Sequence, residues 1–217
     1  YSARLRDCDT VTNMLSTSMV MNAYLHTGQE KYKQWVLDYV DGWRERYAAN
    51  DGIMPDNAGP NGIVGETMDG KWYGGHYGWA FPHGFHFIGD AMVVGGENQR
   101  LLTGDPGRLQ WVREQVEMLL THSIKDEQGR RLVPQKYTDP GAVIEFGGSD
   151  TEPMTRPDRV TTFPNFTRKQ QIDGWYEFQT LNPMHMTHVY ADSLDPNDLE
   201  LTKEIRDKTN NNWDHVD

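Results

Sequence analysis

One dense run carries most of the residues whose types and spacing suit chemistry. It reads Asp69-Gly70-Lys71-Trp72-Tyr73-Gly74-Gly75-His76-Tyr77-Gly78-Trp79, and His83 follows shortly after it. Glycines among flat aromatic rings let the backbone approach a ligand closely. Ring faces suit the C–H face of a sugar, and polar side-chain tips can bond its hydroxyls. The run therefore predicts a binding site in which Trp72, Tyr73, Trp79 and His83 contact the ligand.

A shorter segment of similar sequence lies near the other end of the chain. The segment Asp173-Gly174-Trp175-Tyr176-Glu177-Phe178 resembles Gly78-Trp79-Ala80-Phe81, and both come just ahead of a predicted helix. We expect the two loops to meet at one cleft. Trp175 and Tyr176 are then further ligand-binding residues.

Carboxylates accompany the aromatic residues. Glycoside hydrolysis needs a pair of carboxyl groups, one protonated and one ionised. Five residues are candidates for that pair: Asp56, Glu66, Asp69, Asp173 and Glu177. Asp69 and Asp173 rank first because each lies beside an aromatic cluster, and we predict that they act as acid and base.

A second chemistry is open to the same run. His76 has the residue type of a base that removes a proton next to a carbonyl, and Tyr77 that of the matching acid. A non-catalytic glycan-binding module of helical repeats is a third possibility, since it needs the aromatic platforms but no carboxylate.

Metal and cofactor chemistry has weaker support. His83 and His86 are spaced i, i+3, and His185 and His188 repeat that spacing. On helices each pair would share a face, as a divalent ion requires, but no fixed carboxylate accompanies them. The glycine-rich nucleotide motifs and the nucleophilic Gly-x-Ser-x-Gly motif are missing from the sequence. We therefore expect no metal and no cofactor.

Composition excludes several other classes. The 217 residues have a formal charge of −11, which argues against nucleic acid as a partner because its binding needs a basic face. No apolar run approaches the ~18 residues of a membrane span. Seven Trp, ten Tyr and seven Phe are too many for a disordered acidic chain. Cys8 is the only cysteine, so no internal disulfide forms.

The elements that must position these residues are predicted to be helical hairpins. Apolar residues from Tyr32 to Tyr47 recur at helical spacing, and Gly28 supplies a tight turn before them. Shifting the chain by 76 residues gives seven identities in the 16 positions from 25 to 40. This repeat and a weaker third copy predict hairpins at 9–47, 84–122 and 177–208, within one domain spanning 1–217. Two long aromatic links, 48–82 and 123–176, would carry the function at one end.

Together these features resemble the (α/α)-toroid carbohydrate-active enzymes. The resemblance rests on Thr-Gly-Asp-type turns and on Tyr73-Gly74-Gly75-His76-Tyr77-Gly78-Trp79, which is loosely similar to a segment of the unsaturated glucuronyl hydrolases. It implies an all-α fold, αα-hairpin repeats forming part of an (α/α)6 toroid. Since about three hairpins are visible, it also implies a fragment that lacks half of the ring.

The resemblance implies a function as well. We expect a glycoside hydrolase acting on an oligo- or polysaccharide. A toroidal polysaccharide lyase is the alternative, with Arg156, Arg159 or Arg168 neutralising the carboxylate of a uronate. The compartment stays open, and the substrate class favours the periplasm or the extracellular space.

Overall fold

Helices and strands both build this protein. The computed structural model describes residues 7–80, 83–127, 129–141 and 171–209. The helices within these residues are α1 (Thr17–Thr27), α2 (Glu30–Ala49), α3 (Phe85–Thr103), α4 (Gln110–Thr121), α5 (Met184–Ser193) and α6 (Pro196–Glu204). The strands are β1 (Asp9–Thr10), β2 (Asn57–Ala58), β3 (Ile124–Lys125), β4 (Arg131–Tyr137) and β5 (Trp175–Gln179). Short 3₁₀ turns (Val11–Ser16, Pro106–Leu109) and a π-helical turn (Ile205–Thr209) complete them.

The predicted all-α part-toroid is wrong as a fold class. Five strands in two antiparallel sheets, ordered β1-β2 and β3-β4-β5, make the described chain mixed α/β. The segment predicted as a helical hairpin at 9–47 opens instead with β1 and a 3₁₀ turn. In the hairpin predicted at 177–208 the first helix begins only at Met184, because residues 175–179 form a strand.

Tight turns join α1 to α2 and α3 to α4. Gly28 and Gly104 end the first helix of each pair with φ of 64° and 74°, a conformation that glycine adopts without a steric cost. The hydroxyls of Thr27 and Thr103 donate back to the carbonyls four residues earlier. Each turn is therefore encoded locally, by the same two residue types.

Polar contacts near these turns tie the three helix pairs together. Asp41 of α2 accepts hydrogen bonds from Gln99 and Arg108, and Arg100 of α3 forms an ion pair with Asp192 of α5 at 2.9 Å. The helices are thus fixed to one another at this end through charged side chains.

The core lies between the helices and the β4–β5 ladder. Its largest fully buried side chains include Trp43, Trp79, Phe85, Met92 and Phe178. Trp79 donates from Nε1 to the Met54 carbonyl at 2.7 Å, so the indole is buried without losing its hydrogen bond. The aromatic link 48–82 is therefore anchored in the core.

The β4–β5 ladder places the second aromatic segment beside the first. In its register Tyr137 pairs with Trp175, and Lys136 pairs with Tyr176. The Tyr137 amide also donates to the Trp79 carbonyl at 3.1 Å. These contacts fix the strand ends against the loop that follows Trp72.

Candidate functional site

A buried carboxylate organises the glycine-rich loop. Asp56 is fully buried, and its Oδ1 accepts hydrogen bonds from the Gly75 amide (2.8 Å) and the Asn57 side chain (2.9 Å). Its Oδ2 accepts from the amides of Gly74 (2.9 Å) and Trp79 (2.8 Å). Burial raises the pKa of Asp56, and these four hydrogen bonds act in the opposite direction. Asp56 is a structural anchor of the loop from 74 to 79.

The glycines of this loop are required by the anchor. A Cβ atom on Gly75 would lie 2.7 Å from the Asp56 carboxylate, and one on Gly78 would lie 2.1 Å from it. Any side chain at either position would displace the carboxylate. The sequence pattern that indicated close approach to a ligand is explained here by close approach to Asp56.

A cleft of about 340 Å³ opens beside this loop. Tyrosines and charged residues from three segments line it: Asp69, Lys71, Tyr73, Tyr137, Asp139 and Tyr176. The cleft brings together three residues predicted from the sequence, namely Asp69, Tyr73 and Tyr176. Lys71, Tyr137 and Asp139 are additions that only the structure identifies.

Asp139 connects the two walls of the cleft. Its Oδ2 accepts a hydrogen bond from the Lys71 ammonium at 2.5 Å, and its Oδ1 accepts one from the Tyr73 hydroxyl. These two donors, with the charge of Lys71, lower the pKa of Asp139. Burial and the same carboxylate raise the pKa of Tyr73. The cleft therefore holds a carboxylate that is ionised at neutral pH.

The two carboxylates ranked first from the sequence lie in turns of the same geometry. Asp69-Gly70 and Asp173-Gly174 both have positive φ at each residue, as in the type I′ turn that Asp-Gly favours. Both aspartates are exposed. Asp69 lines the cleft, and Asp173 is close enough to Tyr137 to help raise its pKa, after burial and Asp139.

The predicted tryptophan platforms lie mostly beneath the cleft. Trp79 and Trp175 are 0% and 3% exposed and pack against each other at 5.2 Å between ring centroids. Trp72 is partly buried and lies 4.6 Å from the Tyr137 ring. The rings that line the cleft are tyrosines, and the tryptophans support them from below.

His76, Tyr77 and His83 form a separate cluster of rings. The Tyr77 ring centroid lies 4.0 Å from that of His76 and 4.3 Å from that of His83. Tyr77 is 40% exposed and has a φ of 58°, which is uncommon for a bulky residue. Burial and the charge of His76 lower the pKa of His83. The predicted base and acid of the alternative chemistry are therefore in contact.

A buried ion pair lies behind the cleft. Lys136 donates to Glu177 Oε2, and the two side chains are only 4% and 7% exposed. Gln179 donates to the other oxygen at 3.1 Å. Burial lowers the pKa of Lys136, while Glu177 opposes the shift. Glu177, one of the five candidate carboxylates, is thus held by a cation and has a φ of 59°.

The second histidine pair of the sequence, His185 and His188, takes carboxylate partners. His185 Nε2 lies 2.9 Å from Asp90 Oδ1, and His188 Nδ1 lies 2.8 Å from Glu97 Oε1, which links α5 to α3. The part of the chain that the structure describes contains no group of three or more His, Cys, Asp or Glu side chains placed to hold a metal ion.

The last residues predicted from the sequence are Glu66 and three arginines. Glu66 accepts hydrogen bonds from the Asn61 amide and side chain, so it closes its own loop. Arg156, Arg159 and Arg168 lie outside the described residues. Asp139 lies two residues after the strand that ends at Tyr137, and no pattern in the sequence distinguishes it.

Comparison with known proteins shows the family. The chain belongs to the family described as Domain of unknown function (DUF8034), whose model matches residues 1–217. No curated protein matches the chain, and neither does any solved structure. Over the residues that the structure describes, no helix is long and apolar enough to cross a membrane.

Proposed function

We propose that this protein is a carbohydrate-active enzyme that hydrolyses a glycosidic bond in the tyrosine cleft. The observation that carries the proposal is the composition of the cleft: Tyr73 and Tyr137 offer ring faces and hydroxyls beside the Asp69 carboxylate. Ring faces pack on the C–H face of a sugar, and hydroxyl and carboxylate oxygens bond its hydroxyls.

The proposed reaction uses two carboxyl groups. Asp69 lines the cleft from one loop, and Asp173 lies on another loop, where its charge acts on Tyr137 of the cleft. The protonated group gives its proton to the glycosidic oxygen, which leaves with the electron pair of the broken C–O bond. The ionised group takes a proton from the water that attacks the anomeric carbon. Both aspartates are exposed on turns of the same geometry, and this exposure to solvent supports the assignment.

Polysaccharide lysis is a second candidate, favoured by the contact of His76, Tyr77 and His83. In that reaction His76 removes the proton next to a carboxylate, the sugar ring gains a C=C bond, and Tyr77 protonates the leaving oxygen. His83 lies against Tyr77, and its lowered pKa keeps this neighbouring imidazole neutral. The product absorbs ultraviolet light, whereas the product of hydrolysis does not.

Activity on a panel of oligosaccharides tests both reactions. Reducing ends released without ultraviolet absorbance support hydrolysis, and an absorbing product supports lysis. We expect Asp69→Asn and Asp173→Asn to lower the rate of hydrolysis at least about 100-fold, the lower end of what general acid–base catalysis contributes. Binding, measured by calorimetry, should survive in both variants.

Asp51→Asn is the matched control. Asp51-Gly52 forms the same turn, with φ of 54° and 71°, and Asp51 is exposed but does not line the cleft. Because asparagine also tolerates positive φ, all three variants keep their turns. Hydrolysis at the wild-type rate in both Asp69→Asn and Asp173→Asn would refute the assignment. Binding without any turnover in the wild type would leave a glycan-binding module.

A further inference from the structure

The tyrosine cleft has a negative electrostatic character. Among the described residues that line it, the carboxylates of Asp69 and Asp139 face one cation, Lys71. Asp173 adds to the field, since its charge acts on Tyr137. The whole chain is also acidic, with a formal charge of −11. A cationic group is therefore attracted to this cleft, and an anionic one is repelled.

The cleft already contains a bound ammonium, that of its own Lys71. The Lys71 Nζ lies 2.5 Å from Asp139 Oδ2 and 5.7 Å from the centroid of the Tyr73 ring. Both side chains are roughly half exposed, at 41% for Lys71 and 53% for Asp139. An ammonium between a carboxylate and an aromatic face has the two favourable contacts that proteins use for amine ligands.

We propose that the ligand of the cleft carries a protonated amine, and that its ammonium takes the place of the Lys71 ammonium on Asp139 and Tyr73. This inference rests on the proposed function, which it narrows to glycans that contain an amino sugar with a free amine. Displacement of Lys71 costs little, because an exposed ion pair contributes little to stability and its side chain can turn into solvent.

The position of Asp139 fits this role better than a role in catalysis. Both of its oxygens accept hydrogen bonds, one from Lys71 and one from the Tyr73 hydroxyl. The Tyr73 bond remains when the lysine leaves, so the carboxylate stays oriented for the incoming amine. Tyr73 then serves twice, as the donor that positions Asp139 and as a ring face for the cation.

Calorimetry with three matched oligosaccharides tests the proposal. The probes are β-1,4-linked oligomers of glucosamine, of N-acetylglucosamine and of glucose, all of one length. We expect the glucosamine oligomer to bind at least roughly tenfold more tightly than the other two, the difference that one charge-assisted hydrogen bond makes. Its affinity should fall as salt is added, because the site is exposed to solvent.

Two variants separate the amine contact from a merely structural role. Asp139→Asn should weaken binding of the glucosamine oligomer roughly tenfold more than binding of the neutral oligomers. Lys71→Met should strengthen binding of the glucosamine oligomer about threefold, since the competing ammonium is gone. A structural role of the pair would make both variants bind more weakly. Asp51→Asn, in its turn outside the cleft, should leave all three affinities unchanged.

A simple alkylammonium ion completes the experiment. If it binds with the same dependence on Asp139 and Lys71 while no oligosaccharide binds, the amine site stands and the carbohydrate function fails. If the N-acetylated or neutral oligomer binds as tightly as the amine, the carbohydrate function stands and the amine proposal fails. If no amine-bearing probe binds, the proposal is overturned.

Discussion

Replacing Asp56 by asparagine should unfold the protein at markedly lower denaturant. The two carboxylate oxygens accept two hydrogen bonds each. An asparagine side chain puts an NH₂ group where one oxygen was, so whichever way it is turned, two donors lose their acceptor. A buried donor without a partner costs about 1–3 kcal/mol. We therefore expect Asp56→Asn to lower the free energy of unfolding by about 2–6 kcal/mol.

Urea denaturation followed by tryptophan fluorescence measures this loss, since Trp79 is buried and its backbone amide donates one of the four hydrogen bonds to Asp56. In a thermal scan each lost kcal/mol corresponds to a shift of about 2–4 °C for a chain of this size. Asp51→Asn, an exposed aspartate, should change stability by less than about 0.5 kcal/mol. If Asp56→Asn stays within about 1 kcal/mol of the wild type, the carboxylate does not anchor the loop as argued.

Three further predictions concern packing and charge. Gly96→Ala in α3 should destabilise the protein by about 1–3 kcal/mol, because the added Cβ would lie 2.8 Å from a methyl group of Leu109. Gly42→Ala in α2 should stabilise it by about 0.5–1 kcal/mol, because only the flexible tip of Arg46 is near. Chemical denaturation of the two variants measures the difference. Asp198 is fully buried. Burial raises its pKa, but the hydrogen bonds from Arg113 and Ser193 and the charge of Arg113 together bring the pKa below its ordinary value. Its contribution to stability is therefore present at neutral pH and should fade as pH drops below about 4 in an acid titration. Lys136→Met leaves the buried carboxylate of Glu177 without a cation and should lower the free energy of unfolding, measured in urea, by about 3–5 kcal/mol. A variant as stable as the wild type would contradict this prediction.

Local signals in the sequence anticipate the helices well. The spacing of apolar residues predicts a helix over 30–47, and the structure has α2 at Glu30–Ala49. Two of the seven repeated identities have clear structural reasons: Thr27 and Thr103 bond their own helix ends, while Gly28 and Gly104 take the left-handed conformation. These features depend on neighbours within a few residues, so a single sequence displays them.

The strands lack such signals. In β4 five consecutive residues from Leu132 to Lys136 are buried, so the alternation of a half-exposed strand is missing. β5 carries Glu177 at a φ of 59°, and its aromatic residues read as the start of the next helix. Only the pairing of two segments distant in sequence defines this ladder.

In the candidate site, too, some features are visible in the sequence and others depend on contacts between distant segments. The aromatic runs that the sequence displays do meet at one cleft, since Tyr73 and Tyr176 both line it. They did not reveal which rings face outward, because Trp79 and Trp175 are buried by contacts between the two links. Asp139 stood outside every pattern, and only its approach to Lys71 and Tyr73 distinguishes it.

The matched tryptophans of the two similar hairpins have different surroundings. Trp35 is 44% exposed and stacks on Tyr39, whereas its counterpart Trp111 is 2% exposed and packs against Tyr47 and the Arg44 guanidinium. The same residue type at the same place in a hairpin therefore does not carry the same weight. A smaller side chain leaves a cavity in the core at position 111, while at position 35 solvent fills the vacated space.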